Sequence, residues 1–485
     1  MIAILVWPLL LAALCLAGFG IGLRKRGLDF WAFALSVGAA LFISAFHATR
    51  YLLNLPFAPS AAIALGIVMT AAIFGAFRMK MAVPGVPKGI LISVLVLVLY
   101  CVLILITYPG WDMTHHIPAV RDLMANAHPS AAARETRPDV TGGFYHYGVE
   151  ALVAVGTWIA RGRGERYLFR LVETVFAAAG FWLTFKLYTR LLGARLATAS
   201  ALLFFWAGDF LVLVNLFLLW VGKIYVTASK LPALAFMTAT GIPTPDGAFL
   251  SYAFQPPMCF GFPLFLVILW LLLRGGVWRN LAAGLLIGPL LIMQVFLGVS
   301  VGMTLVAWPF LKWWAEKRFL WKNLLAPAAA LASALATGIP FIILRGGNHA
   351  LEIGPYWLKS LAPSGVLEVL LGPLIYLGLP FILAFPGAIL IIRRRAVPRE
   401  SFAFLGILAL IGLLVPLIFA HRDFVKFFLL AGLGYSPFAG AFLLWMWERG
   451  KWGRVCAVIS VILMSLTAVS FLAFRWIAFI SACIS

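Results

Sequence analysis

The chain has 485 residues and a formal net charge of +21, and 64% of its residues are apolar while only 11% are charged. Because soluble globular domains carry about 25% charged residues, this composition excludes such a domain and indicates a protein that resides in a membrane. No phosphate-binding glycine loop or dinucleotide-binding fingerprint is present, which argues against a reaction driven by a cytoplasmic nucleotide.

Hydrophobic segments that can cross a bilayer recur along the whole chain. About twenty apolar residues suffice for one crossing, and about fourteen such segments are present, with roughly 12 to 14 as the plausible count. The least certain separation lies within 280–311, where Pro289, Gln294 and Gly298 favour a break between two helices. We therefore predict an all-α, polytopic transmembrane helical bundle. The predicted spans are 1–23, 30–48, 58–77, 89–107, 168–186, 196–215, 258–273, 280–295, 296–311, 323–343, 365–391, 401–420, 427–447 and 455–480.

The basic residues alternate between the predicted loops. If the N-terminus lies outside the cytoplasm, 22 of the 37 lysines and arginines fall in short cytoplasmic loops, as the positive-inside rule requires. Both termini then lie outside the cytoplasm, and we expect a multi-pass protein of the bacterial inner membrane. The first apolar segment has its basic residues after it, which indicates an N-out signal anchor. Topology accounts for the net charge, so no nucleic-acid partner is predicted.

The chain divides into three parts of one membrane domain. Residues 1–107 form the N-terminal transmembrane helices, and 108–166 form an external loop with amphipathic juxtamembrane helices. Residues 167–485 form the remaining transmembrane helices, with further external loops near 216–257 and 344–364.

The polar stretch 108–147 within the first loop holds four of the seven histidines and four of the sixteen acidic residues. Because ionisable residues are costly near lipid, such a cluster predicts a functional site. Asp112, His115 and His116 share one face if the segment is helical up to Pro118. A carboxylate and two imidazoles can bind a divalent cation such as Mg²⁺, Mn²⁺ or Ca²⁺, or can combine a general base with a ligand. Alternatively, the histidines are interfacial residues bonded to backbone or lipid headgroups.

The rest of this loop carries charged and aromatic residues. Arg121 and Asp122 can form a local ion pair. The apolar segment 148–160 is too short to cross the membrane, and we interpret it as a helix that lies along the membrane surface. Aromatic residues of the loop indicate the membrane interface and are predicted to line a substrate site; they are Trp111, Tyr145, His146 and Tyr147.

Two further sets of charges lie at predicted outer helix ends. Asp209 stands near the end of its helix, where it could hold a metal ion together with Asp112 or simply meet the interface. The second set, His421, Arg422 and Lys426, lies on the predicted external side of the membrane. The positive-inside rule expects few basic residues there. Their positive charge predicts binding of a phosphate or pyrophosphate, and the alternative is an interfacial ion pair with snorkelling side chains.

The stretch 105–210 resembles the C-type (GT-C) integral-membrane glycosyltransferases, a class that includes protein O-mannosyltransferases and oligosaccharyltransferase catalytic subunits. The matching features are Gly110, Trp111 and Asp112 after a transmembrane helix, and the stretch from Phe144 that begins FYHYGVEAL and continues through a short helix into a helix with basic residues at its end. Three additional helices precede this loop, and an aspartate beside two histidines stands in place of the usual acidic pair.

The resemblance implies transfer of a hexosyl or pentosyl group from a polyprenyl-phosphate-linked donor to a lipid, glycan or protein acceptor on the non-cytoplasmic face of the cell envelope. It implies that Asp112 is the general base or a metal ligand, and His115 and His116 are the alternative bases. A developing phosphate charge needs cations, and the candidates are Arg422, Lys426, Arg137 and His421.

Two other classes of protein stay open. A secondary transporter or lipid flippase would hold ionisable residues near the bilayer midplane, whereas those of this chain gather at predicted helix ends. An acyltransferase or polymer ligase would use His115 or His116 as the base in the same loop.

Overall fold

The computed structural model of the protein describes residues 2–22, 30–78, 87–107, 113–125, 147–162, 164–207, 256–318, 320–345, 366–418 and 427–484. Every regular element within these ranges is a helix, which confirms the predicted all-α class. The helices are α1 (Ile2–Gly22), α2 (Trp31–His47), α3 (Phe57–Arg78), α4 (Lys88–Thr107), α5 (Met113–Met124), α6 (Gly148–Ile159), α7 (Glu165–Leu192), α8 (Ala194–Trp206), α9 (Pro256–Arg274), α10 (Val277–Leu285), α11 (Ile287–Met293), α12 (Val295–Glu316), α13 (Leu325–Arg345), α14 (Val366–Arg394), α15 (Arg399–Ile418), α16 (Phe428–Glu448) and α17 (Lys451–Ile484).

Each predicted span overlaps one of these helices, and the span 280–295 corresponds to α10 and α11 together. Residues 208–215 of the span 196–215 lie outside the described residues. Among the described residues, seven helices are long and apolar enough to cross a membrane by length and composition. The protein is therefore an all-α polytopic membrane bundle. Membrane crossing by the remaining helices, and so the count of about fourteen spans, stays a prediction.

The centre of the bundle is α16. Its residues before Glu448 carry no charge, and an apolar helix of this kind is expected to be enclosed by others. Fourteen of its residues are buried, and it packs against α8, α14 and α15. On α14, Gly378 adopts a φ of 64° and interrupts the helix, a left-handed conformation that favours glycine because it has no Cβ.

The N-terminal helices α1, α2 and α3 pack closely through glycines. A Cβ added at Gly38 of α2 would lie 1.8 Å from the Leu14 carbonyl oxygen of α1, and one at Gly75 of α3 would lie 1.7 Å from the Leu16 carbonyl oxygen. Helices in membranes associate through small residues because these let backbones approach. The contact between these helices therefore depends on the absence of a side chain at these positions.

The predicted break within 280–311 is confirmed at Gln294. This residue adopts an extended conformation, with φ of −160° and ψ of 109°, between α11 and α12. Pro289 and Gly298 lie inside the two helices, and a second turn at Leu286 separates α10 from α11. The chain therefore forms a helical hairpin here, with Gln294 at its tip.

Four ion pairs among the described residues lie at one end of the bundle, which we call the basic end. Arg195 at the start of α8 bonds to Glu448 at the end of α16, with 2.9 Å between Nη1 and Oε1. Lys312 near the end of α12 lies 2.7 Å from Glu400 at the start of α15. Both contacts join loops that the charge pattern places on one side of the membrane, so the structure groups them as the sequence predicts.

The opposite end, which we call the histidine end, carries His47, His116, Tyr147 and Glu150. The distance between the two ends follows from α12, whose 22 residues extend about 33 Å at 1.5 Å per residue. This length is close to the thickness of a bilayer hydrocarbon core, about 30 Å. The two ends therefore correspond to the two faces of a membrane.

Candidate active site

The short helix α6 forms the centre of the histidine end. All ten of its residues from Gly148 to Thr157 are buried. A Cβ added at Gly148 would lie 2.9 Å from the Met293 Cα of α11, and one at Gly156 would lie 1.9 Å from Cζ2 of Trp7 on α1. The predicted helix is thus present, and its position along the membrane surface stays a prediction. Neighbouring helices cover α6 from Gly148 to Thr157, whereas Trp158 and Ile159 at its end are exposed.

The closest polar contact at α6 joins Glu150 and His116. The Nδ1 atom of His116 lies 2.6 Å from Oε1 of Glu150, and both residues are buried. In the tautomer with its proton on Nδ1, His116 donates this hydrogen bond to the Glu150 carboxylate. A bond this short is typical of a charge-assisted pair.

The position of His116 follows from the pattern of α5. His116, Val120 and Leu123 are all buried, and their spacing places them on one face of a helix. The predicted end of this helix at Pro118 is wrong, because α5 continues through Pro118 to Met124. The apolar face of α5 therefore turns His116 into the protein, towards α6.

The start of α7 adds a buried ion pair beside His116. The Phe169 ring packs against the His116 ring with 5.7 Å between centroids. The next residue, Arg170, places Nη1 2.7 Å from Oε2 of Glu173, and both side chains are buried. Burial of two charges is tolerated only when they are paired and hydrogen-bonded. The histidine end thus contains a second carboxylate and a guanidinium one helix away from His116.

A second histidine contact involves Tyr147, the residue that immediately precedes α6. The Tyr147 hydroxyl lies 2.6 Å from Nδ1 of His47 at the end of α2, and the rings of Tyr147 and Tyr51 are 5.3 Å apart. Burial, and secondly the nearby Tyr51, raises the pKa of Tyr147 well above its ordinary value. The hydroxyl therefore stays protonated and donates to His47.

The loop ion pair differs from the predicted one. Arg121 bonds through Nη2 and Nε to the two carboxylate oxygens of Glu165, at 3.2 and 3.4 Å, instead of forming its ion pair with Asp122. The Arg121 side chain is 69% exposed, and exposed ion pairs contribute little to stability. This pair ties α5 to the start of α7.

Two predicted site residues have described side chains, and the structure brings both to the histidine end. His116 contacts Glu150, and Tyr147, the residue immediately before α6, lies three positions before Glu150 in the sequence. The helix α5 includes His115, whose side chain is not described. The other predicted residues lie outside the described residues; they are Trp111, Asp112, Arg137, Tyr145, His146, Asp209, His421, Arg422 and Lys426.

Two described segments adjoin some of these positions in the sequence. Asp112 directly precedes α5 in the sequence. The residue after Lys426 is Phe427, which is buried and whose ring lies 6.2 Å from the ring of Phe296. Phe296 in turn donates its backbone N–H to the side chain of Gln294, at the tip of the helical hairpin.

The most informative site residues missed in the sequence are Glu150, His47 and Glu173. Glu150 and His47 are each the lone ionisable residue of an otherwise apolar helix, and that is the signal by which a site in a membrane protein can be found. Glu173 lies instead on a helix with several charged residues. The described residues hold no site for the predicted cation, because no three His, Cys, Asp or Glu side chains converge within the described ranges. Binding of a divalent cation stays a prediction, because Asp112 and Asp209 lie outside those ranges.

Comparisons with known proteins give little further information. No protein-family model matches the chain, and no match was found among curated proteins. One similar solved structure is an archaeal oligosaccharyltransferase from Archaeoglobus fulgidus, in complex with an inhibitory peptide and a dolichol-phosphate. It is 12% identical to this chain with a TM-score of 0.32, and the match covers 81% of this chain and 56% of that one. The chain thus spans just over half of that protein, and a TM-score this low does not establish a common fold.

The Tyr147 hydroxyl makes a testable contribution to stability. Tyr147→Phe should lower the free energy of unfolding by about 1 to 3 kcal/mol, because Nδ1 of His47 loses its donor in a buried environment. Tyr188→Phe is the matched control, since it removes a hydroxyl that donates to the Leu433 carbonyl oxygen at 2.7 Å. Detergent-denaturation curves of the two purified variants measure the change in the free energy of unfolding for each replacement. A double-mutant cycle of Tyr147→Phe with His47→Phe should give a coupling of about 0.5 kcal/mol or more, and a coupling of zero would contradict the contact.

Proposed function

We propose that the protein is a membrane glycosyltransferase that acts at the histidine end. It moves a hexosyl or pentosyl group from a polyprenyl-phosphate-linked donor to a lipid, glycan or protein acceptor on the non-cytoplasmic face. The observation that carries this proposal is the 2.6 Å contact between the buried residues Glu150 and His116. His116 lies four residues after Asp112 in the sequence. A histidine held by a buried carboxylate is a common arrangement for proton transfer in enzymes.

The proposed chemistry begins with the acceptor hydroxyl, which must lose a proton as it attacks the sugar. Glu150 engages Nδ1 of His116, so Nε2 is the ring atom that can take a proton. The carboxylate then stabilises the imidazolium that forms. Asp112, which directly precedes α5, is the second candidate base. If Asp112 takes the proton, His116 positions the acceptor. A divalent cation held by Asp112 and Asp209 would supply charge stabilisation at the same end.

The leaving group is a lipid phosphate, and its developing negative charge requires cations. Arg422 and Lys426 are the proposed donors, with Arg137 and His421 as further candidates. Support comes from Phe427, which follows Lys426 and contacts Phe296 beside the tip of the helical hairpin. Phe427 thus lies beside the tip of the hairpin, and this contact supports the assignment of the preceding basic residues to the same site.

The lipid tail of the donor requires an apolar surface that is open to the bilayer. A cavity of about 570 Å³ lies between α4, α8, α16 and α17 and is lined by side chains such as Leu202, Leu443 and Val461. It reaches Ala207 at the end of α8, two residues before Asp209. We propose that this groove accommodates part of the isoprenoid chain.

The proposed orientation rests on the charge pattern. Lysines and arginines are enriched in cytoplasmic loops, and the basic end joins the loops that carry them. The histidine end then faces away from the cytoplasm, where lipid-linked sugars are accessible in a bacterial inner membrane.

The experiment that tests the proposal uses the full chain in liposomes. A polyprenyl phosphate carrying a radiolabelled hexose or pentose serves as the donor, and a bacterial membrane extract supplies acceptors. We expect label to move from the donor to the acceptor fraction. Uptake of solute by the liposomes without label transfer would instead support a transporter, and acyl transfer without sugar transfer would support another lipid-using transferase.

A further inference from the structure

The tip of the helical hairpin between α11 and α12 holds a buried amide that uses only part of its hydrogen-bonding capacity. Gln294 is 1% exposed, and its Oε1 atom accepts from the Phe296 N–H at 3.5 Å. Its Nε2 atom is buried and has no hydrogen-bond partner within the part of the chain that the structure describes. Because a buried donor without a partner is costly, a ligand that accepts from Nε2 would be bound favourably.

The orientation of this amide follows from the backbone beside it. The Phe296 N–H is a donor, so the Gln294 atom that faces it is the oxygen. The NH₂ group of the same carboxamide is therefore also held at the start of α12, with its two protons directed elsewhere. Buried polar groups of proteins are nearly always hydrogen-bonded. This exception indicates a partner that the described residues do not supply.

The start of α12 adds a further donor and a positive field. The first N–H groups of a helix lack partners inside that helix, and Gln294 caps only the N–H of Phe296. The first bond of the helix runs from the Gly298 N–H to the Gln294 carbonyl oxygen, at 3.1 Å. A helix of 22 residues also carries about half a positive charge at its N-terminus. These groups together favour an anion, and phosphate commonly binds at such a position.

Two glycines hold the hairpin tip beside the candidate site. A Cβ added at Gly261 of α9 would lie 2.9 Å from Cβ of Gln294, and one at Gly148 of α6 would lie 2.9 Å from Cα of Met293. Gly148 lies two residues before Glu150 in the same helix. The unpaired amide is therefore adjacent to the start of the helix that positions His116.

The start of α12 is accessible next to the buried amide. Val295 and Phe296, the first two residues of the helix, are only half-buried. The Phe296 ring lies 6.2 Å from the ring of Phe427, the residue that follows Lys426. A phosphate at the tip can therefore contact the helix terminus and lie near the chain that carries the predicted cations.

We propose, on the basis of the function proposed above, that Gln294 and the start of α12 bind the phosphate of the polyprenyl-linked donor. The Gln294 NH₂ group and the Val295 N–H supply uncharged donors to the phosphate oxygens. The basic residues assigned to the phosphate neutralise its charge, whereas the hairpin tip fixes its position. Gln294 keeps its own helix capped through Oε1 and binds the ligand through Nε2.

Binding of a radiolabelled polyprenyl phosphate that carries no sugar tests this site separately from transfer. Polyprenol of the same chain length, which lacks the phosphate, is the reference ligand for the detergent-purified full chain. We expect polyprenyl phosphate to bind at least about tenfold more tightly, because only the phosphate forms charge-assisted bonds. Equal binding of the two lipids would contradict the proposed function and the phosphate site together. Displacement by phosphatidylglycerol at equal concentration would overturn the choice of the donor as the ligand.

Two replacements of Gln294 test the hairpin tip itself. In Gln294→Glu the carboxylate can still accept from Phe296 and suits a helix N-terminus, but it offers no donor and repels phosphate. We expect the affinity for polyprenyl phosphate to fall about tenfold or more, while the affinity for polyprenol stays the same. Gln294→Met, which is similar in size and uncharged, should lower the affinity for polyprenyl phosphate by a smaller factor.

The matched control is Asn280→Asp on α10, which makes the same change from amide to carboxylate. Asn280 is also 1% exposed, and it donates to the Lys322 carbonyl oxygen at 2.9 Å. This variant should bind polyprenyl phosphate as the unaltered protein does. Unchanged affinity in both Gln294 variants would overturn the site and leave the proposed function standing. An equal loss in Asn280→Asp would attribute the effect to a buried charge and would overturn the site as well.

Discussion

Glu150→Gln should lower the kcat/KM of sugar transfer by roughly 10²- to 10⁴-fold, the usual contribution of a positioned general base. The amide keeps the shape of the carboxylate but removes the charge that stabilises the imidazolium of His116. It can also present its NH₂ group to Nδ1 and so favour the wrong tautomer. The measurement is transfer of radiolabel from a polyprenyl-phosphate sugar by the purified variant.

The matched control is Glu165→Gln, the same replacement at the start of α7. Glu165 pairs with the exposed Arg121, so its loss should change kcat/KM by less than about twofold. Unfolding curves of both variants separate chemistry from folding. If Glu150→Gln retains full transfer activity in a folded protein, the pair with His116 is structural and the proposed role of His116 is wrong.

Asp112→Asn distinguishes the two candidate bases. If Asp112 takes the proton, this variant should abolish transfer and His116→Gln should leave a larger residual rate. The reverse order is expected if His116 is the base. Residues that act as one unit show non-additive losses of activity. If both groups serve one step, the Asp112→Asn, His116→Gln double variant should be no slower than the less active of the two single variants.

Gly38→Leu should destabilise the protein by about 3 kcal/mol or more, at the upper end of overpacking effects. A Cβ at this position would lie 1.8 Å from the Leu14 carbonyl oxygen, and that oxygen belongs to the backbone of α1. No rotamer change can relieve the contact, so α1 and α2 must separate. Detergent-denaturation curves and size-exclusion chromatography measure the loss.

Gly66→Leu on α3 is the control for this replacement. Nothing lies within 4 Å of a Cβ built at Gly66, so a leucine there meets open space and should change stability by less than about 0.5 kcal/mol. Similar losses in both variants would show that the side chain itself, and not the α1–α2 contact, causes the effect.

The sequence was sufficient to predict the helices because each apolar segment follows one local rule. Long hydrophobic runs require helices in a membrane, and Gln294 interrupts such a run where the structure breaks it. Pro118 was misleading, because α5 continues through it although a proline inside a helix removes one backbone donor.

The candidate site was harder to predict, because its contacts join residues that are distant in the chain. His116 was predicted from its local spacing, but its partner Glu150 lies 34 positions away. His47 and Tyr147 are 100 positions apart. The burial of α6 depends on Trp7 and Met293, which local periodicity does not connect to it. A lone acidic residue such as Glu150 in an apolar helix was the available signal.

Tyr147 immediately before α6 and Glu150 in its first turn lie three residues apart, and this spacing links the two histidines mechanically. A shift of α6 along its axis by one residue, about 1.5 Å, would change the geometry of both 2.6 Å contacts at once. We therefore expect His47 and His116 to respond together when substrate engages the chain before α6. Histidine NMR signals that move in concert on donor addition would reveal such a shared displacement, and independent titration of the two signals would disprove it.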